Sequence, residues 1–468
     1  MRALTICFAA VLITTNVTAE KAPLPKDLPA YGPEIPPAAP HVKAEKLQNG
    51  LTVWLVSEPG FPKISLALVV KGGLAADPQD RPGLSELLAK TIDQGTKARN
   101  AKQVAQGLQG AGGDLKAEAQ KDSIVVSTSF LSKKVGTGLA VFADVAQNAA
   151  FPADEVALGK RNAIDELKQE ESEPSFLASR AMAKALYGDH PYHVTAPTEE
   201  SLIASAPEEL REVYAERFRP DQALLVAVGD FENDKMLAEV KERFGTWKVP
   251  ANPPLAAPAP MTTEPQHSIT IVPRPDSVQT TLSLGMLGPV RNDADYEAAA
   301  VANAIYGGTF GSRLVTNIRE DKGYTYSPSA RLRTYRAAGT LVTQADVRNE
   351  VTGPTLNEIN YELNRLVTTS PTNDEMTQAE RFLVGIEAIR LQLRGRVADE
   401  LASLWVAGLT PEAIGDYGRK VMNTKAGDVN AAARKYFPAA RTTIVAVGEE
   451  KVVRDALSPF GIPMQVSK

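Results

Sequence analysis

Four stretches of the chain carry side chains able to do chemistry. In residues 80–96, DRPGLSELLAKTIDQGT, Glu86 and Lys90 stand four apart, acid ahead of base, the order that makes a weak ion pair on one helix face. In AIDELKQEESEP, Asp165 and Glu166 stand with Glu170, Glu171 and Glu173, and the plainest reading of so many carboxylates is a solvated helix face. His190 and His193 in HPYH have the type for a metal ligand. Pro191 between them disfavours a continuous helix that would aim both imidazoles at one ion. Arg319 and Tyr326 in NIREDKGYTYS flank a Lys-Gly turn. A guanidinium and a phenol both donate hydrogen bonds to developing negative charge. By type alone they are surface residues at a loop-to-strand junction, with Tyr324 on the same face as Tyr326 if the segment is extended.

The residue inventory narrows the chemistry. There are four histidines and one cysteine in the chain. His41 lies in a Pro-rich arm and His267 opens a strand, so three protein ligands for a catalytic zinc are hard to assemble. The Gly-rich GGTFGS follows a helix and lacks the Lys-Ser/Thr ending of a phosphate loop. A net charge of −5 offers no basic patch, which makes nucleic acid a poor partner. Hydrophobic content of 43% and charged content of 23% are ordinary for a folded soluble protein, and 468 residues suggest two or more domains.

The elements that must position these groups follow from periodicity. Residues 80–96 predict a short helix with Asp80 as its cap and Pro82 at its first position. Leu84, Leu87, Leu88 and Ile92 would form its buried stripe. Residues 1–19 read as a secretory signal peptide, with Arg2, an apolar core and the small-residue ending Val17-Thr18-Ala19. Cys7 leaves with it, so the mature chain has no disulfide. Residues 20–45 form a Pro-rich irregular arm, and no later run is long enough to span a membrane. A first unit over 46–248 runs from the hairpin around Asn49-Gly50, through alternating strands and helices, to a helix ending near Trp247. Pro-rich residues 249–266 are a linker. Residues 267–468 then repeat the order of elements, and ARTTIVAVGEE echoes DQALLVAVGDF. Runs of strands and helices in each unit predict an α+β fold. It comprises two homologous sandwiches, each an antiparallel-type sheet with helices on one face, related by internal duplication.

This pattern resembles the insulinase-like (pitrilysin-type) zinc metallopeptidases over roughly residues 47–461. The Gly-Leu-…-Gly-Thr frame of residues 83–96 is similar to that family's metal helix, GLAHFLEHMLFKGT. RFRPDQALLVAVGDF and YGGTFGSRLVTNIREDKGYTYSPSA are similar to two further family phrases. Laid on the inverted zinc motif H-x-x-E-H, the two histidine positions hold Glu86 and Lys90 and the general-base position holds Ala89. The resemblance puts Glu166, 76 residues after Lys90, at the third ligand position as a remnant. It gives Arg319 and Tyr326 the place of the Arg/Tyr pair that binds substrate backbone.

A degenerate metal helix beside an intact Arg/Tyr pair implies the zinc-less subunit of a two-chain enzyme, like the partner in mitochondrial processing peptidase and in bacterial pairs. The expectation is a chain that binds no cofactor and is inactive alone, and that pairs with a homologous subunit bearing an intact H-x-x-E-H and its zinc. Peptides would be the substrates, the setting a bacterial periplasm, and a homodimer is compatible with the fold. Two alternatives remain: an inert binding or scaffold protein with this fold, and a zinc peptidase with an atypical ligand set.

Overall fold

Asn49-Gly50 does make the first hairpin turn. Gly50 adopts φ 92°, a backbone region that favours glycine. The Asn49 amide donates to the carbonyls of Phe244 (2.8 Å) and Trp247 (3.0 Å), tying this turn to the end of the first half. The computed structural model describes residues 35–467. The stretch read as a signal peptide, and much of the Pro-rich arm, lie outside the described residues. The last part of that arm is not irregular: Val42–Lys46 is strand β1. An edge strand pairs on one side only, so it can form from a short polar stretch that carries little alternation.

The first sheet contains β1, β2 (Thr52–Ser57), β3 (Lys63–Lys71), β4 (Leu115–Ala119), β5 (Ser123–Leu131) and β6 (Ala223–Gly229), in the order β1-β2-β6-β3-β5-β4. The second contains β7 (Ile269–Pro273), β8 (Gln279–Gly288), β9 (Ser329–Thr334), β10 (Gly339–Arg348), β11 (Thr443–Gly448) and β12 (Met464–Val466), in the order β12-β7-β11-β8-β10-β9. Five strands correspond one to one between the sheets, and their directions match. The pairs β2/β6 and β7/β11 are parallel, and the next three ladders of each sheet are antiparallel. Only the outermost strand differs: β1 runs antiparallel to β2, whereas the C-terminal β12 runs parallel to β7. The duplication is visible in the hydrogen bonding, and each sheet is mixed.

One face of each sheet packs on helices of its own half. In the first half these include α1 (Leu84–Thr91) and α2 (Ala153–Glu171), on a core built from Leu66, Leu68, Leu225 and Ala227 among others. The other face is covered too, by a helix from the opposite half. The helix α3 (Pro174–Tyr187) lays Ala178, Met182, Ala183 and Leu186 on Val445 and Val447 of the second sheet. In return α4 (Arg394–Val406) lays Val397, Leu401 and Leu404 on Leu224, Val226 and Val228 of the first. This exchange explains why β6 is apolar throughout and β11 apolar from Ile444 to Val447: both of their faces are buried. Polar stitches reinforce it. The Arg394 guanidinium donates to the carbonyls of Glu58, Phe61 and Lys63, and the Tyr192 hydroxyl donates to Asp122 (2.6 Å) while accepting from Ala337 N–H (2.9 Å).

Candidate functional site

Helix α1 starts later than its sequence suggests. Residues 80–83 form a turn, Gly83 sits at φ 85°, and the first helical residue is Leu84, so Pro82 is not the first helical position. Asp80 does not cap it; its carboxylate meets Arg81 on the surface. The cap is Asp77, whose carboxylate accepts from Gly83 N–H (3.1 Å), from Ser85 N–H (3.1 and 3.2 Å) and from the Ser85 hydroxyl. Behind Asp77 stands Arg217, 3.0 Å away, and both side chains are sealed from solvent. A capping residue this far upstream lies outside any local motif, which is why the spacing rules point to Asp80 instead. The predicted stripe is as expected. Leu84, Leu87, Leu88 and Ile92 are all buried, each large side chain contributing roughly 1.5–3 kcal/mol.

The outward side of α1 carries Glu86 and Lys90, and α2 runs past it. The Lys90 ammonium lies 3.2 Å from Glu86 Oε1 and hydrogen-bonds Glu166 Oε2 on α2. The structure therefore brings Glu86, Lys90 and Glu166 together, while Ala89 is buried in the core beneath them. Glu166 is exposed yet paired, rather than part of a purely solvated acidic face. Burial raises the Glu86 pKa against the pull of Lys90, and the nearby Glu170 and Glu166 charges raise it further. Burial works against the Lys90 charge, but Glu166 and Glu86 outweigh it and its pKa rises. These groups do not fit a zinc ion. An ammonium stands between two carboxylates, no imidazole is present, and among the described residues no group of three His, Cys, Asp or Glu is placed to hold a metal.

The histidines serve the fold. His190 Nδ1 accepts from Tyr192 N–H (3.2 Å) at the start of a 3-10 turn, and its Nε2 meets the Ala259 carbonyl at 2.8 Å. His193 Nδ1 contacts the His190 carbonyl at 2.9 Å, and His267 Nδ1 contacts the Thr442 carbonyl at 2.6 Å.

In the second half, Arg319 lies on a π-helical turn, Thr316–Asp321, which closes at Gly323 (φ 61°). Its guanidinium carbon stands 4.2 Å from the centre of the Phe310 ring, and its Nε is 3.1 Å from Glu320. The stack holds the guanidinium in place, and the half-exposed Glu320 carboxylate pairs with it. Tyr326 is 89% exposed, whereas Tyr324 is half-buried. Among the described residues no hydrogen bond or ring contact joins Arg319 to Tyr326, so the two donors are presented separately. Phe310, at 66% exposure, is the participant that residue reasoning missed. Its signal was a large apolar side chain standing alone in the glycine turn GGTFGS.

Comparison with known proteins bears on both halves. A family model described as "Insulinase (Peptidase family M16)" matches residues 52–197, and one described as "Peptidase M16 inactive domain" matches residues 206–383. A Mycobacterium bovis protein named an uncharacterized zinc protease is 27% identical over 317 residues, 67% of this chain and 72% of that one. A Rickettsia bellii protein with the same description is 24% identical over 416 residues, covering 86% and 96%. Among solved structures, a peptidase M16 inactive domain from Pseudomonas fluorescens superposes with TM-score 0.82 at 27% identity, covering 87% of this chain and 98% of that one. A Helicobacter pylori protease shares the fold at TM-score 0.81 and 18% identity, covering 88% and 100%.

Proposed function

The chain belongs to the insulinase family, peptidase family M16, and within it we propose that the protein is the zinc-less, substrate-binding subunit of a two-chain metallopeptidase. The observation that carries this reading is the contrast between two sites. At the family's ligand positions, Lys90 is ion-paired with Glu86 and Glu166. At the positions of the Arg/Tyr pair, Arg319 is stacked on Phe310 with only the half-exposed Glu320 of its own turn as ion-pair partner, and Tyr326 stands free in solvent. The names of the bacterial relatives support peptide chemistry as the setting.

In this proposal the partner is a homologous subunit with an intact H-x-x-E-H, and its zinc supplies Lewis-acid polarisation and an activated water. This chain supplies no metal ligand. Arg319 holds substrate backbone with a fixed guanidinium, and Tyr326 donates its phenolic proton toward the carbonyl oxygen as negative charge develops there. Exposure of Tyr326 in the lone chain suits a group that meets its target only when a second subunit closes over it. The work is done after export to the periplasm, on peptides small enough to enter the space between subunits.

The test is metal analysis and peptide hydrolysis on the purified mature chain, alone and mixed with a homologue bearing the intact motif. The chain alone is expected to be metal-free and inert, to raise the partner's kcat/KM, and to lose that gain on Arg319→Ala. Removing one such donor costs on the order of 10²–10³ in rate. Stoichiometric zinc with hydrolysis by the lone chain would sink the proposal. No gain on mixing would favour the scaffold alternative.

A further inference from the structure

A cleft of about 120 Å³ lies between the second sheet and α3. Its floor follows from strand register. Period-two alternation puts Ser329, Arg331 and Arg333 of β9 on one face, while Ala330 and Leu332 turn to the core. Across the ladder Arg331 faces Val342 and Arg333 faces Thr340, and all four line the cleft. Its roof is α3, which contributes Met182, Leu186 and Tyr187, and Lys121 reaches in from the turn between β4 and β5.

The charge in this cleft is unbalanced. Three cationic side chains line it and no carboxylate does. Asp122, next to Lys121 in sequence, is already engaged by the Tyr192 hydroxyl (2.6 Å) and by Arg336 N–H (2.9 Å). Neither Arg331 nor Arg333 has an ion-pair partner among the described residues. Lys121 is held by the carbonyls of Tyr192 (2.8 Å) and Val194. Burial lowers its pKa to about 8, against the pull of Asp122 and with the push of Arg333. The Tyr187 residue is 5% exposed, and its hydroxyl makes no hydrogen bond of normal geometry. A buried phenol with only the Thr340 hydroxyl beside it, next to guanidiniums without ion-pair partners, leaves a donor set open to an acceptor.

The internal repeat supplies a control. The corresponding cleft of the first half, between β3, β4, β5 and α4, has a volume of about 670 Å³. It is lined by Asp114, Glu118 and Asp399 as well as Lys116 and Arg396. The unopposed positive charge is therefore a property of the second cleft and not of the architecture.

We propose that this cleft binds the free C-terminal carboxylate of a peptide, with the last side chain against Met182 and Leu186. A planar carboxylate matches guanidinium and phenol donors, and the apolar part of the wall suits a side chain more than a bare inorganic anion. The inference rests on reading the chain as a peptide-handling subunit.

The test is equilibrium binding of a labelled tetrapeptide ending in leucine to the full mature chain, without partner subunit or metal. The free acid is expected to bind at least about tenfold more tightly than its C-terminal amide. Arg331→Gln and Arg333→Gln should each erase most of that preference. Tyr187→Phe removes the hydroxyl beside Thr340 and should weaken binding of the acid while leaving that of the amide unchanged. Equal affinity for acid and amide would overturn the proposal, as would displacement of the peptide by inorganic phosphate at comparable concentration. Since neither partner nor zinc is present, failure here leaves the Arg319 test untouched. Failure of the partner-subunit reading leaves the acid-over-amide preference to stand or fall on its own.

Discussion

The two halves repeat one set of strands and treat charge in opposite ways. In the first, charges near α1 are cancelled: Lys90 sits with Glu86 and Glu166, and Arg217 is sealed against Asp77. In the second, Arg319 rests on an aromatic ring with the half-exposed Glu320 as its ion-pair partner, and Arg331 and Arg333 line a cleft without a carboxylate. One scaffold thus holds a closed, ion-paired region and an open, donor-rich one. Strand order and ladder direction place the helices; which side chains are left unpaired decides where chemistry is available.

The sharpest way to break this comparison is at Asp77. Asp77→Ala leaves the Arg217 guanidinium buried without its counter-ion and removes the cap of α1. A loss of about 3–5 kcal/mol is expected, read as a fall in urea midpoint at unchanged slope. Arg217→Met added to Asp77→Ala should recover part of it, because the orphaned charge is gone. If Asp77→Ala costs less than about 1 kcal/mol, the closed character of the first half does not come from this pair.

The second half has an ion pair at a helix start as well, and it is of a weaker kind. Arg313 donates to both oxygens of Glu375, at 2.6 and 2.9 Å, with the carboxylate partly in solvent. The hydrogen bonds from Arg313 hold the Glu375 pKa down to about 2, from 4.5. A depressed carboxylate pKa stabilises fully above the unfolded value, and that contribution is lost as the pH falls from about 4.5 toward 2. With solvent screening, Glu375→Gln is expected to cost about 1–2 kcal/mol at pH 7. The urea midpoints of wild type and variant should converge as the pH is lowered through that window. A gap that persists at pH 2 would mean that the loss comes from the cap at Thr372 and not from charge.

How much of this was legible in the sequence depends on how local each cause is. The turn at Asn49-Gly50 and the buried stripe Leu84, Leu87, Leu88 and Ile92 are plain, because their signals lie in their own residues. β1 is not, since its few residues pair on one side and adjoin prolines. The start of α1 is not legible locally, because its cap acts from Asp77, beyond the reach of local capping rules. The exchange of α3 and α4 between the sheets was invisible: an apolar helix face reports that it is buried, never against which sheet. The meeting of Lys90 with Glu166 could be anticipated only through the family frame, since nothing in a run of glutamates says which one turns inward. The π-helical turn under Arg319 has no local pattern, and of its Phe310 support only the lone aromatic in GGTFGS is visible.

The smallest expected effect concerns the locus that separates the halves most clearly. Lys90→Met keeps the side chain's length and apolar stem while removing the charge between Glu86 and Glu166. Both partners are partly exposed, so the pair itself is worth only about 1 kcal/mol. The informative readout is pH dependence. In the wild type the raised Lys90 pKa makes the ammonium's contribution complete below 10.5 and lost only as pH rises beyond it, so stability stays level through neutral pH. In the variant, Glu86, Glu166 and Glu170 face one another without a cation, and Glu86 already has a raised pKa from burial. Lowering the pH neutralises Glu86, whose burial favours the protonated form, and the variant should regain its deficit there. High salt should shrink the deficit at pH 7 for the same reason. If Lys90→Met is as stable as the wild type at every pH, the lysine merely occupies a vacated ligand position, and the first half owes its closure to Asp77 and Arg217 alone.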